Sequence, residues 1–110
     1  AGADIDGVVR DDFSGNSLLH VAVFWKRHAV VRMLLGRGAD FSISDPSSNR
    51  TPLHQAAWHG SEAMVSMLLD YGADTEAKDR TLMTPLHIAV YWSYPSVVQV
   101  LLQHGADTQA

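Results

Sequence analysis

A seven-residue segment recurs three times in the chain and constrains its fold more than any other feature. Residues 34–40, 68–74 and 101–107 each read Leu-Leu, two variable positions, then Gly-Ala-Asp. A second motif runs in step with the first: residues 17–20 read Ser-Leu-Leu-His, and residues 51–54 and 84–87 read Thr-Pro-Leu-His. Two motifs repeated in a fixed order predict an array of stacked structural units rather than one irregular domain.

The spacing of the motifs is constant within each repeat and varies between repeats. From the Ser or Thr to the Asp of the next Gly-Ala-Asp the distance is 23 residues in all three copies. An additional Gly-Ala-Asp stands at residues 2–4, and the distance from an Asp to the next Ser or Thr is 13 residues from Asp4, 11 from Asp40 and 10 from Asp74. Because stacked units must keep register while their connecting loops tolerate insertions, the variable segments are expected to lie along one edge of the stack.

Each body has the pattern of two short helices. Thr51 is a good N-cap and Pro52 suits the first helical position, which needs no N–H donor. We expect the second helix of the middle copy to start at Ser61 and to end before Gly72. Its inward-facing residues and their equivalents are predicted to be Val65, Leu68 and Leu69, Val31, Leu34 and Leu35, and Val98, Leu101 and Leu102.

The combined motif, Thr-Pro-Leu-His-x-Ala followed by Leu-Leu-x-x-Gly-Ala-Asp at a period of 33 to 34 residues, resembles the ankyrin repeat. The resemblance covers nearly the whole chain. It implies an all-α fold, an ankyrin-repeat α-solenoid of stacked helix-turn-helix units with β-hairpin-like finger loops. It further implies a concave surface, formed by the fingers and the first helices, that binds other proteins and carries no catalytic residues.

The repeats divide the chain as one ankyrin-repeat domain, residues 1–110. Residues 1–11 are the tail of a preceding repeat with its linker, and the three full repeats are predicted at 12–45, 46–78 and 79–110. Polar end-caps are not evident, so we expect a fragment of a longer protein.

Three positions depart from the family pattern at turns where it has glycine. Between the two helices, the glycine kept as Gly60 is replaced by Lys26 and Ser93. Leu82 stands in the third finger at a place that Gly15 and Asn49 occupy in the others, and we expect that finger to bend differently.

Composition narrows the function classes. The chain has no cysteine, which excludes disulfides and thiolate sites, and its formal charge of −4 lacks the basic footprint of a nucleic-acid binder. No stretch approaches the roughly 20 apolar residues of a membrane helix. We therefore expect no nucleic-acid partner and no membrane insertion, and a cytoplasmic or nuclear location.

Aromatic residues cluster at the end of the first helix in each copy. The family resemblance places these positions in the binding groove, and they hold Phe24 and Trp25, Trp58 and His59, and Tyr91 and Trp92. Large rings with few rotatable bonds are enriched at binding hot spots. The alternative is that about half of them pack between neighbouring helices as core residues.

The finger tips are the second candidate for partner contacts. The residues expected to project there and to bind the partner are Phe13, Asn16, Arg50, Arg80 and Met83. Exposed Phe13 and Met83 would be unusual without a partner, although isolated apolar surface residues are common.

The repeated histidines are not expected to form a metal or catalytic site. His20, His54 and His87 lie one repeat apart, too far to share an ion, and the resemblance gives them a structural role in the turns. The neighbouring Ser and Thr are explained as helix caps, without an orienting acid. We expect no enzyme activity, no metal and no cofactor.

The sequence thus predicts a non-catalytic module that binds another protein through the concave groove and the finger tips. The alternative is a structural spacer or scaffold segment within a larger multidomain protein. A monomer is expected, with weak self-association through the uncapped ends as the alternative.

Overall fold

The computed structural model describes residues 8–9 and 16–106, with the side chains of residues 18–106. Two short strands are followed by three pairs of helices. In chain order the elements are β1 Val8–Val9, β2 Asn16–Ser17, α1 Leu18–Phe24, α2 His28–Gly36, α3 Pro52–Trp58, α4 Glu62–Asp70, α5 Pro85–Tyr91 and α6 Pro95–Gln103.

The helix starts follow from the sequence as predicted, with one addition from histidine. The Thr51 hydroxyl accepts a hydrogen bond from the backbone N–H of His54, and Pro52 occupies the first turn of α3. In return, Nδ1 of His54 accepts the N–H of Thr51 at 3.2 Å. Thr84 and His87 form the same reciprocal cap on α5, so the motif histidine takes the place of the usual Glu or Gln.

The helices stack in two layers, which confirms the all-α solenoid. The first helices α1, α3 and α5 pack on one another in order, and the second helices α2, α4 and α6 form the other layer. Buried alanines such as Ala56, Ala57 and Ala89 allow the first helices to approach closely. Neither helix of a pair is long enough to be stable alone, so this packing holds the fold together.

Burial of the second helices agrees with the prediction in the middle repeat and departs from it at the two ends. Val65, Leu68 and Leu69 are all buried. Leu34 and Val98, however, are half-buried, and Leu102 is 42% exposed. Leu34 and Val98 still pack against the core, so the prediction that they point inward holds in part. It is wrong for Leu102, because no described residue of a further repeat covers that side of α6.

The finger loops are hairpin-like and linked from one repeat to the next. In the first finger Val8 pairs with Ser17 and Val9 with Asn16 in an antiparallel ladder. In the later fingers two backbone bonds close each turn; in the third finger they run from the Asp79 N–H to the Met83 carbonyl at 3.0 Å and from the Leu82 N–H to the Asp79 carbonyl at 2.9 Å. The Arg80 N–H bonds the Ser48 carbonyl at 2.8 Å and so links the third finger to the second.

The glycine substitutions leave the backbone unchanged at their turns. Lys26 and Ser93 have φ of 56° and 58°, close to the 68° of Gly60. Leu82 has φ of 67° and Asn49 has 58°, so the expectation that the third finger bends differently is wrong at this turn. Four non-glycine residues, Lys26, Asn49, Leu82 and Ser93, therefore occupy the left-handed region at a conformational cost.

Candidate functional site

The aromatic residues predicted to face the groove lie at the surface. We call the set Phe24, Trp25, Trp58, His59, Tyr91 and Trp92 the aromatic row. Its Phe, Trp and Tyr side chains are between 37% and 71% exposed, and His59 is half-buried. None of the five rings belongs to the buried core, which is filled chiefly by alanine, valine and leucine.

The rings touch one another within and between repeats. Phe24 meets Trp25 edge-on at 5.1 Å between ring centroids and reaches across to His59 at 5.4 Å. Trp58 meets Trp92 of the following repeat at 5.2 Å, also edge-on. Edge-to-face contacts at these distances are favourable, so the row is braced in place while large parts of each ring remain in solvent.

Arg50 joins the aromatic row to the fingers. Its guanidinium carbon lies 4.2 Å from the ring centroid of Trp58, and its Nε atom lies 3.5 Å from a carboxylate oxygen of Asp79. Asp79 is almost fully buried and accepts the backbone N–H groups of Thr81 and Met83. Burial opposes the charged form, but a hydrogen bond from the Thr81 hydroxyl, together with those from the two N–H groups, outweighs it and holds the pKa of Asp79 below its usual value.

A small cavity of about 150 Å³ opens beside the row. Its walls are formed by Phe24, Asp45, Arg50, Gln55, Trp58 and His59. Within the described part of the chain, Oε1 of Gln55 is buried and has no hydrogen-bond partner. A buried acceptor without a donor costs free energy.

Asp45 gives this cavity an ionised wall. Its carboxylate accepts the backbone N–H and the hydroxyl of both Ser47 and Ser48. Partial burial raises the pKa of Asp45, but the hydrogen bonds from Ser48 and Ser47 more than compensate and leave it below its usual value.

The predicted finger residues occupy different environments. The Arg80 side chain donates to the carbonyls of Ser47 and Pro46, both at 2.9 Å, so it ties the third finger to the second. Met83 is half-buried against the core, and the expectation that it projects at a tip is wrong because its backbone carbonyl is held by His54. The Arg50 side chain likewise folds over Trp58 instead of projecting.

The structure describes little of Phe13 and Asn16, the two remaining residues predicted at the finger tips. Phe13 lies outside the described residues, and Asn16 is described only as part of β2. Their partner contacts stay predictions.

Sequence reasoning missed three residues of this surface. Gln55 stands at the variable position of Thr-Pro-Leu-His-x-Ala, and Asp45 lies in the loop of the second finger. Neither residue is part of a motif, so nothing in the sequence singled them out. Leu82 is the most exposed apolar residue of the third finger, at 71%. Its place at a left-handed turn was visible in the sequence and could have indicated that its side chain is held out in solvent.

The motif histidines are structural, as the family resemblance implied. Nε2 of His20 lies 2.9 Å from the Arg50 carbonyl, and Nε2 of His54 lies 2.8 Å from the Met83 carbonyl. Burial lowers the pKa of both rings, which outweighs the raising effect of these bonds. Across the described residues no three His, Asp or Glu side chains lie close enough to hold a metal ion.

Comparison with known proteins agrees with this architecture. The family model for ankyrin repeats matches residues 19–110 with three copies. A search of curated proteins returned no match. In the described part of the chain no helix has the length and apolar character needed to cross a membrane. Ankyrin repeats are typically non-catalytic and generally mediate protein–protein interactions. The match covers most of the sequence, and the chain therefore belongs to the ankyrin repeat family.

Proposed function

We propose that the chain binds a partner protein through the aromatic row and the adjoining finger loops. The single observation that carries this proposal is the exposure of the row: five large rings, 37% to 71% exposed, lie at equivalent places in three successive repeats. Isolated exposed rings are ordinary, but a contiguous set of them is typical of an interaction surface.

The contacts between rings of the aromatic row favour tight binding of a partner. Rings that already touch, such as Trp58 and Trp92, lose little side-chain entropy when a partner covers them. Arg50 stacked on Trp58 adds a planar donor at the same surface, and Trp, Tyr and Arg are the residues most enriched at binding hot spots.

The cavity beside the row supplies specificity. Its volume of about 150 Å³ accommodates one side chain of a partner. The unpartnered Oε1 of Gln55 would accept a hydrogen bond from that side chain. A partner side chain that lacks a donor would leave the acceptor buried and unpaired, which costs roughly 1–3 kcal/mol.

The module acts without a cofactor and without chemistry of its own, in the cytoplasm or the nucleus. Family membership supports the first point, and a chain without cysteine fits a reducing compartment.

The second candidate function is a spacer that holds other domains of one polypeptide apart. The hydrogen bonds of Arg80 to the neighbouring finger favour it, since they stiffen the array along its length. A spacer would tolerate any substitution of the aromatic row that leaves the fold intact.

The two functions are separated by paired variants used as bait for binding partners. The groove variant is Tyr91→Ser with Trp92→Ser. The matched control is Met33→Ser with Tyr71→Ser, which removes two exposed apolar side chains from the second-helix layer. Both must first show the helicity and melting temperature of the unchanged chain, since binding is only comparable between folded baits.

A protein retained by the unchanged chain and the control, but at least about tenfold less by the groove variant, supports the binding module. Equal retention by all three baits, or no specific retention, supports the spacer. Loss in the control alone would move the binding surface to the second helices.

A further inference from the structure

The cavity of about 150 Å³ beside the aromatic row combines apolar and polar walls. Phe24 and Trp58 supply the rings, while Asp45, Arg50 and Gln55 supply the charged and hydrogen-bonding groups. These residues come from α1, from α3 and from the finger that joins them. The cavity therefore lies between the first two repeats, both of which the structure describes.

The side chain of Gln55 holds the unsatisfied polar atom of this cavity. Its Oε1 atom is buried and has no hydrogen-bond partner among the described residues. Most buried polar atoms in folded proteins are hydrogen-bonded, so this exception needs an explanation. In a primary amide the oxygen lies beside a nitrogen that carries two N–H donors. A half-turn of the amide exchanges the two, so a ligand that pairs with Gln55 must be able both to donate and to accept.

The charges of the described residues around the cavity balance one another. Asp45 is an ionised carboxylate, and the Arg50 cation lies 3.5 Å from the carboxylate of Asp79. His59 is neutral near pH 7, because burial, followed by the nearby charge of Lys26, lowers its pKa from 6.5. Two carboxylates and two cations thus act on the cavity, which favours a ligand without net charge.

This balance distinguishes between the possible ligands. An ammonium group would donate to Gln55 but would bring another positive charge towards Arg50. A carboxylate would be attracted by Arg50, but it has no donor for Oε1 and would face the charge of Asp45. A hydroxyl group is neutral, but its single oxygen cannot pair with both ends of the Gln55 amide. A primary amide can donate to Oε1 and accept from the adjacent Nε2 N–H, which leaves its second N–H for Asp45.

We propose that the cavity receives the side-chain amide of a glutamine or asparagine of the partner protein, paired with the amide of Gln55. The CH2 groups of that side chain would lie against the Phe24 and Trp58 rings, where their apolar surface leaves water. This inference rests on the proposed function for the source of the side chain, while the choice of an amide follows from the cavity alone.

Small molecules that carry one functional group each test the cavity without a known partner. The probes are propionamide, propionate and propylammonium, which are similar in size and differ in charge and in hydrogen-bonding groups. Each is added to the unchanged chain at about pH 7, where the second is an anion and the third a cation. NMR follows the side-chain NH2 signal of Gln55 and the indole N–H signal of Trp58 at constant ionic strength, up to about 200 mM probe.

Propionamide should shift both signals, with a dissociation constant on the order of 10 to 100 mM. Propionate and propylammonium should each bind at least about threefold more weakly. Equal or tighter binding of either ion, or the absence of a shift at Gln55 at the highest propionamide concentration, would overturn the proposal.

A matched pair of variants assigns the binding to Gln55. Gln55→Glu keeps the size of the side chain but makes it a carboxylate, so it should bind propylammonium at least about threefold more tightly than propionamide. Gln99→Glu, on an exposed position of α6, adds the same charge away from the cavity and should keep the preference for propionamide. The same preference in both variants would overturn the assignment.

A second substitution covers the case in which the buried carboxylate prevents folding. Gln55→Met has a similar length and no strong hydrogen-bonding group, so it removes the unpaired acceptor instead of adding a charge. It should fold with at least the stability of the unchanged chain and lose the binding of propionamide. Retained binding in this variant would also overturn the proposal.

The outcomes separate this inference from the proposed function. Selective binding of propionamide, together with equal retention of proteins by the aromatic-row baits, would support the amide cavity and contradict the proposed function. A partner lost from the groove variant, without any preference for propionamide, would support the proposed function and overturn the amide cavity.

Discussion

The imidazole of His54 connects two repeats: its Nε2 atom lies 2.8 Å from the carbonyl oxygen of Met83, while its Nδ1 atom accepts the N–H of Thr51. One neutral ring thus caps its own helix and fastens the next finger. His87 forms the same cap on α5 but is exposed. Comparing variants of His54 and His87 therefore distinguishes the stability that comes from capping a helix from the stability that comes from bonding the next repeat.

Replacement of His54 by alanine should cost more stability than the same change at His87. We expect about 3 kcal/mol for His54→Ala, which loses a cap, a buried hydrogen bond and core packing, and about 1 kcal/mol for His87→Ala. Urea unfolding of both variants measures the difference. Equal losses would mean that the bond to Met83 contributes nothing.

The buried histidines make stability depend on pH. Burial lowers the pKa of His20 and His54 from 6.5, so the unfolded chain binds more protons than the folded one below that value. Their contribution is complete above the unfolded pKa and is lost as the pH falls through and below it. The urea midpoint should therefore be lower at about pH 5.5 than at about pH 7.5.

A matched variant isolates the histidine effect. His54→Asn removes one of the three rings whose pKa is lowered in the folded chain, those of His20, His54 and His59. The variant should show a weaker pH dependence and a lower urea midpoint at both pH values. A midpoint that rises on acidification would contradict the assignment of these rings as neutral and buried.

Much of this architecture could be read from the sequence, because the signals are local and repeated. Thr51 and Thr84 cap helices as their position before proline indicates, and Gly38, Gly72 and Gly105 adopt the left-handed conformation expected after a helix. The exposed ends were harder to place. Leu102 carries the same motif as Leu69, and only the neighbouring repeat decides which of the two is buried.

The candidate site was predictable in part for the same reason. Periodicity located the aromatic row, but which face of a ring is covered depends on contacts between repeats, such as Trp58 with Trp92. The orphan oxygen of Gln55 and the inward position of Met83 arise from side-chain packing, which no spacing rule reports.

Replacement of Leu82 by glycine should stabilise the folded chain. The φ of 67° at Leu82 costs an L-residue about 1–2 kcal/mol, partly offset by the chain entropy of glycine, and its side chain is 71% exposed. Leu82→Gly should raise the melting temperature by about 3–5 °C. Leu82→Ala keeps the Cβ atom and should give no gain; an equal gain in both would show that the backbone carries no strain.

Gly60 should tolerate a side chain less well than Gly38. A Cβ atom at Gly60 would lie 2.7 Å from the Tyr94 ring, whereas one at Gly38 meets nothing within 4 Å. Both glycines have positive φ, so Gly38→Ala measures the conformational cost alone. Gly60→Ala should lose at least about 1 kcal/mol more, measured by urea unfolding. Equal losses would mean that the Tyr94 ring moves aside freely.

The central claim is that the aromatic row is the binding surface, and site-specific photo-crosslinking tests it most directly. A benzophenone amino acid is placed at Tyr91, in the row, or at Tyr71, at the end of α4; both tyrosines are exposed. On irradiation with a retained binding protein, the account predicts a covalent adduct from position 91 and none from position 71. An adduct from position 71 alone would contradict it.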